Sequence, residues 1–195
     1  MQKRGKTEEA TVLVVDDEQD IADLYSTWLL TAHDVRTAHS GTEALQLVDA
    51  SVDVVFLDRQ MPDMSGDEVL DTIAERGIDP AVVMVTAVDP DFDIVEMPFD
   101  HYVSKPVDGG ELEAVIDRLL ELDQYDGHVT DLYGVTEKIV TLEAEKTQSA
   151  LADSDEYAAL VDRRERLEAE MADIVASMDD EGVGRLFDVA TGDER

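Results

Sequence analysis

The strongest constraint on this chain is a set of short apolar runs, each of which stops at a polar residue. Thr11-Val12-Leu13-Val14-Val15 stops at Asp16-Asp17, Val54-Val55-Phe56-Leu57 at Asp58, and Ala81-Val82-Val83-Met84-Val85 at Thr86. A fourth run, His101-Tyr102-Val103-Ser104, stops at Lys105. Runs this short and this continuously apolar read as strands covered on both faces, the usual state in a parallel sheet. The segments between them carry apolar residues at helical spacing, as in Ile21, Ala22, Leu24, Tyr25, Trp28 and Leu29, or Val69, Leu70 and Ile73. With a short strand at Val35–Ala38 and helices expected at 19–30, 41–48, 67–75 and after Gly109-Gly110, strand and helix alternate strictly. Such alternation specifies an α/β fold with a parallel sheet covered by helices.

In open sheets of this kind the site forms at the carboxyl ends of the strands. Asp16, Asp17, Asp58, Thr86 and Lys105 are therefore expected at one rim, although up to about ninety positions separate them. Carboxylates gathered there repel one another by several kcal/mol, on the order of 4 kcal/mol per pair at 4 Å and an effective dielectric of 20. A divalent cation relieves that cost, and ligands that are all oxygen select a hard ion such as Mg²⁺. Taken singly, each residue has an ordinary explanation. Asp16 could cap the following helix, Asp58 and Thr86 could end strands, Tyr102 could be a core aromatic, and Lys105 could be a solvated loop residue.

The joint pattern resembles the receiver domain of two-component response regulators. It runs Asp16-Asp17-Glu18, Asp58-Arg59-Gln60-Met61-Pro62 through Gly66, Thr86-Ala87, and Tyr102-Val103-Ser104-Lys105-Pro106, in the family's order. The resemblance implies a five-stranded flavodoxin-like sheet of order 2-1-3-4-5. It implies that Asp58 accepts a phosphoryl group from a sensor histidine kinase, that Lys105 neutralises phosphoryl charge, and that Thr86 and Tyr102 form a switch. It assigns the cation, Mg²⁺ with Mn²⁺ as a substitute, to Asp16, Asp17, Asp58 and the backbone carbonyl of Gln60. The implied protein is a phosphoacceptor, with self-catalysed transfer and dephosphorylation as its only chemistry. One departure stands out: Thr86 to Lys105 is a few residues shorter than the usual receiver spacing, and only a short helix fits between Asp89 and Pro98.

Beyond Leu122 the pattern changes. Leu132, Val135, Ile139 and Leu142 repeat at helical spacing, and Tyr157, Leu160, Arg164, Leu167, Met171, Ile174 and Met178 follow as a heptad seam with one polar member, Arg164. Between them Ala152 to Asp155 marks a break, with Asp153 or Ser154 as the expected N-cap. Two amphipathic helices joined by a loop read as an antiparallel hairpin. Position, acidity, Tyr133-Gly134 and the Ser-Asp-Glu-Tyr-Ala-Ala-Leu helix start resemble the HalX domain that follows receivers in haloarchaeal regulators. The expected organisation is an arm (1–9), a receiver (10–121), a HalX-like hairpin (122–182) and an acidic tail (183–195).

Composition narrows the function. Residues 1–120 hold 27 acidic and 8 basic residues, and residues 121–195 hold 21 and 7, for a net charge of −33. Acidity spread over both halves suits a halophilic cytoplasm, where molar salt shortens the Debye length to about 3 Å and suppresses self-repulsion; a merely acidic mesophilic protein is the alternative. No basic stripe is present to neutralise phosphates, which argues against direct nucleic-acid contact. Cysteine is absent, and His33, His39, His101 and His128 lack ligand spacing. No apolar run approaches the roughly 20 residues that span a bilayer. The expected output is a protein contact through the helical domain, with a downstream protein or a second copy as partner; the competing expectation is a transcriptional regulator whose C-terminal domain touches DNA or the transcription machinery.

Overall fold

The computed structural model describes residues 9–123 and 127–177. The expected arm (1–9) and acidic tail (183–195) fall outside the described residues except for Glu9, as does Met178. The chain divides into two compact units, Met1–Leu120 and Glu121–Arg195.

The first unit alternates β1 (Thr11–Val15), α1 (Gln19–Leu29), β2 (Asp34–Ala38), α2 (Gly41–Leu47), β3 (Val54–Leu57), α3 (Gly66–Glu75), β4 (Ala81–Thr86), a 3-10 segment (Phe92–Glu96) and β5 (His101–Ser104). α4 (Gly109–Asp123) follows. The strands form one parallel sheet in the order β2-β1-β3-β4-β5, as expected. All four residues of β3 are buried, and so are the last four of β1 and the last five of β4. The edge strand β2 buries only Ala38. Continuously apolar sequence thus marks the central strands, whose two faces are both covered.

The helices lie where their apolar residues find the sheet. α1 buries Ala22, Tyr25 and Leu29; α3 buries Val69, Leu70 and Ile73; α4 buries Leu112, Val115, Ile116 and Leu119. A Cβ on Gly109 would come within 3.0–3.1 Å of the Trp28 side chain, so the start of α4 meets α1 at close range. The shortened stretch after β4 forms a 3-10 segment of five residues rather than an α-helix, yet Ile94 is fully buried there.

The second unit departs from a simple two-helix hairpin. α5 (Gly127–Glu145) and α7 (Asp155–Ser177) are separated by a further short helix, α6 (Gln148–Ala152). The cause is a second cap: the Thr147 hydroxyl accepts from the Ala150 N–H at 3.3 Å and starts α6. Of the two expected caps for α7 it is Ser154 that serves, accepting from the Tyr157 N–H at 3.1 Å. The helices run antiparallel. The Tyr157 hydroxyl at the start of α7 donates to Glu143 near the end of α5 at 2.6 Å, and Arg163 further along α7 faces Asp131 near the start of α5 at 4.0 Å. Val135, Ile139, Leu142, Leu160 and Leu167 are buried along the seam.

Candidate functional site

Asp16, Asp58 and Lys105 are each the first position after a strand, and their backbone N–H groups still belong to the sheet ladder. Asp16 N–H donates to Ala38 O at 3.1 Å, Asp58 N–H to Val15 O at 2.9 Å, and Lys105 N–H to Thr86 O at 2.9 Å. The backbone is thus fixed by the sheet while the side chain projects past its rim. β1 and β3 are neighbours in the 2-1-3-4-5 order, which brings their terminal aspartates together.

One carboxylate oxygen from each of Asp16, Asp17 and Asp58 lies within 4.8 Å of the others. At that separation each pair repels by on the order of 3 kcal/mol at an effective dielectric of 20. Lys105 offsets part of it: its Nζ is 2.6 Å from Asp16 Oδ2 and 3.3 Å from Asp58 Oδ1. Asp16 and Asp58 are 2% and 6% exposed, so these charges meet away from bulk water. Burial pushes the Asp58 carboxyl above its ordinary range, as does the neighbouring Asp16, while Lys105 and the Thr86 hydroxyl oppose the shift. For Lys105 burial disfavours the charge, but the bonds to Asp16 and Asp58 outweigh it and raise the ammonium above its usual value. Three carboxylates against one ammonium leave a net negative site made wholly of oxygen donors. That donor set fits a hard divalent cation. Asp16 also accepts the Glu18 N–H at 3.0 Å just ahead of α1, so its turn-forming role and its place in the cluster coexist.

The remaining residues lie close by. Thr86 is 1% exposed, and its hydroxyl accepts from the Val88 N–H at 3.3 Å. Tyr102 is already buried, with its hydroxyl donating to Val88 O at 2.5 Å. Gln60 is exposed and lines an open cleft of about 810 Å³ together with Asp17, Arg59, Met61, Asp89 and Asp93. The loop carrying Gln60 is pinned at both ends. Gly66 N–H donates to Arg59 O at 2.9 Å, and a Cβ on Gly66 would stand 2.3 Å from Asp58 O, so only glycine allows that approach. Asp63 adopts φ 67° within the loop, a left-handed conformation that aspartate tolerates better than most residues. Ser65 and Glu68 then form a reciprocal capping box that starts α3.

Sequence reasoning missed Arg59. Its guanidinium pairs with Asp67 at 3.1 Å and with Asp93. Its position directly after Asp58 was the only available signal.

Comparison with known proteins agrees with the fold. The family model described as "Response regulator receiver domain" matches residues 12–117, and the HalX domain model matches residues 121–187. A Haloferax volcanii protein described as "Putative transcriptional regulator" is 44% identical over 176 residues, covering 87% of this chain and 29% of that protein. The response regulator SaeR of Staphylococcus aureus is 33% identical over 113 residues, covering 56% of this chain and 50% of SaeR. This chain therefore spans half or less of the length of these relatives. The crystal structure of a response regulator receiver domain protein from Clostridium thermocellum superposes with a TM-score of 0.54 at 30% identity, covering 59% of this chain and 97% of that one.

Proposed function

This chain belongs to the response regulator receiver family and carries a HalX domain after its receiver, and from that premise we propose that Asp58 accepts a phosphoryl group from a sensor histidine kinase. The observation that carries this reading is the meeting of Asp16, Asp17, Asp58 and Lys105 at one rim. The proposed domains are a receiver over 10–121 and a HalX-like output domain over 122–182.

The ionised Asp58 carboxylate is itself the nucleophile, so the attack needs no general base. One carboxylate oxygen forms a bond to phosphorus as the phosphorus–nitrogen bond of the donor phosphohistidine breaks, and that electron pair returns to the imidazole. Water later cleaves the acyl phosphate, restoring the carboxylate and releasing inorganic phosphate. Positioning and charge neutralisation do most of the work in such transfers. Lys105, already held between Asp16 and Asp58, neutralises a phosphoryl oxygen as a compact point charge. Asp16, Asp17, Asp58 and the Gln60 carbonyl hold Mg²⁺, with Mn²⁺ as substitute. A cation held there would offset the charge of the transferred group.

The Thr86 hydroxyl, beside Asp58, donates to the new phosphoryl oxygen. Its bond to the Val88 N–H then changes, and with it the Val88 peptide to which Tyr102 is tied. Moving a population from 1:99 to 99:1 takes about 5.5 kcal/mol. A hydrogen bond to a charged group contributes about 1.5–3 kcal/mol. Phosphorylation alone therefore shifts this switch partway, and a downstream partner completes it.

The protein acts in the cytoplasm as a phosphoacceptor, not as a turnover enzyme. Its helical domain passes the signal by protein contact. A role in transcription is the second reading, favoured by the description of the Haloferax relative. Among the described residues no helix is long and apolar enough to cross a membrane. Incubation with Mg²⁺ and radiolabelled acetyl phosphate tests the assignment: wild type takes up label, Asp58→Ala does not, and equal labelling of both refutes it.

A further inference from the structure

Arg59 follows the acceptor aspartate directly and has no part in the phosphoryl transfer described above. Its side chain is only 11% exposed, a state in which arginine is found when paired. Its carboxylate partners come from two different elements. Nε and Nη2 bind Asp67 in the first turn of α3 at 3.1–3.3 Å, and Nη2 also holds Asp93 in the 3-10 segment. Burial works against the Arg59 charge, but the bonds to Asp93 and Asp67 overcome it and raise the guanidinium further above its usual range.

The same guanidinium lies within reach of Tyr102. Burial pushes the Tyr102 hydroxyl up to about 12, and the charge and hydrogen bond of Arg59 oppose that shift. Thr86 holds the Val88 N–H, Tyr102 holds the Val88 carbonyl, and Arg59 stands between Tyr102 and Asp93. Asp58 is thus linked to the 3-10 segment through its own chain neighbour, and to Tyr102 through Thr86 and Val88.

We propose that Arg59 is a positioning residue, a latch that clamps Phe92–Glu96 to the loop after Asp58 through Asp93 and lets go of Asp93 when Asp58 carries a phosphoryl group. This rests on the phosphoacceptor reading of Asp58. A phosphoryl group brings a charge of about −1.5 to −2 and three strong acceptors to the residue next to Arg59. Arg59 and Asp17 line the same cleft, so the guanidinium and the phosphorylation rim face common space. A planar guanidinium matches phosphate oxygens well. Of its two carboxylate partners, Asp67 is held through two nitrogens on a helix fixed by the Ser65–Glu68 capping box. Asp93 is held through one nitrogen, has a 53% exposed side chain, and sits in a 3-10 segment, where hydrogen-bond geometry is poorer. The Asp93 contact is therefore the one that yields. Its release loosens a segment that buries Ile94 and Val95, which changes the apolar surface at this edge of the receiver.

Hydrogen exchange of the full chain in molar KCl with Mg²⁺ tests the latch, with beryllofluoride as the acyl-phosphate mimic. The reporters are the amides of Ile94, bonded to Asp91 O at 3.1 Å, and Met97, bonded to Ile94 O at 3.2 Å. In wild type beryllofluoride lowers their protection roughly two- to fivefold, as expected for losing one ion pair whose carboxylate is half exposed. Asp93→Ala is equally unprotected without the mimic and gains no further response, and Asp93→Glu restores both protection and response. Bound mimic with unchanged protection in wild type overturns the latch, as does a wild-type response in Asp93→Ala. If fluorine NMR detects no bound mimic and Asp58 takes no label, the phosphoacceptor reading fails first and the latch falls with it. Label on Asp58 without a change at Ile94 and Met97 removes the latch alone.

Discussion

In the unit that ends at Leu120 the buried charges converge: Asp16, Asp58 and Lys105 meet within hydrogen-bond or ion-pair distance beside Thr86. In the unit that begins at Glu121 the described polar residues along the seam are dispersed rather than gathered at one point. Ser154 caps α7, Tyr157 bonds Glu143, and Arg164 pairs with Glu168 one turn away at 3.4 Å. Both units obey the same rule of apolar burial, but they use polar residues differently. A parallel sheet collects whatever terminates its strands at one rim, so single residues far apart in sequence can build a reaction site. A helical hairpin repeats its contacts along its length and presents surface instead. The receiver unit is thus suited to chemistry and the hairpin to contact, and substitutions in the two should separate cleanly.

The sharpest separation comes from Lys105→Met. It leaves carboxylates without their counter-charge at a water-poor site, so labelling of Asp58 by acetyl phosphate should fall about a hundredfold. Breaking the buried pair should also cost the sheet about 3 kcal/mol. Hydrogen exchange of the full chain should record that loss in the sheet amides, with the α5 and α7 amides unchanged. A fall in α5 and α7 protection of equal size would break the contrast.

The reverse experiment is Leu167→Ala, which empties a buried position of the seam and should cost the hairpin about 2–4 kcal/mol. The readout is protection of the α5 and α7 amides, with Asp58 labelling at the wild-type rate. Slowed labelling would mean that the units are coupled in the phosphoryl-transfer step itself.

Acidity should act on the rim through Asp58. Burial raises its carboxyl above the ordinary 3.8, so the folded protein binds that proton more tightly than the unfolded chain does. The stabilising contribution of this group is therefore complete below the unfolded value and lost as pH rises through the raised folded value. Mg²⁺ needs the ionised carboxylate. Its affinity, followed calorimetrically, should decline by up to about tenfold per pH unit once pH drops below that raised value. Asp58→Asn should remove this part of the pH dependence and stabilise the cation-free protein at neutral pH.

The smallest effect is expected at the one polar member of the seam. Arg164→Met replaces a half-buried ion pair by an apolar side chain of similar length, a change that should move hairpin stability by no more than about 1 kcal/mol. A larger loss would give Arg164 a role in fixing the register of α5 against α7.

The sheet was legible because Val12–Val15, Val54–Leu57 and Val82–Val85 are buried on both faces, and that condition writes itself as uninterrupted apolar sequence. The rim followed from strand ends alone, since Asp16, Asp58 and Lys105 each sit one residue past a strand. Edges and connections were harder to read. α6 depends on one local cap at Thr147, in a stretch with too few apolar residues to show a period. The segment after β4 has one helical turn of apolar residues and a proline beyond it, and a 3-10 turn buries Ile94 as well as a short α-helix would. The Arg59–Asp93 pair joins positions 34 apart through side chains alone, and no periodicity of a single sequence encodes such a contact.

A crystal structure of the full chain grown with Mg²⁺ and beryllofluoride measures the arrangement of the rim most directly. The mimic is expected on an Asp58 oxygen, with Lys105 Nζ against a fluorine and Mg²⁺ at about 2.1 Å from oxygens of Asp17 and Asp58. A mimic on another carboxylate, or a cation bound away from Asp17 with the Lys105–Asp16 pair unchanged, would contradict it.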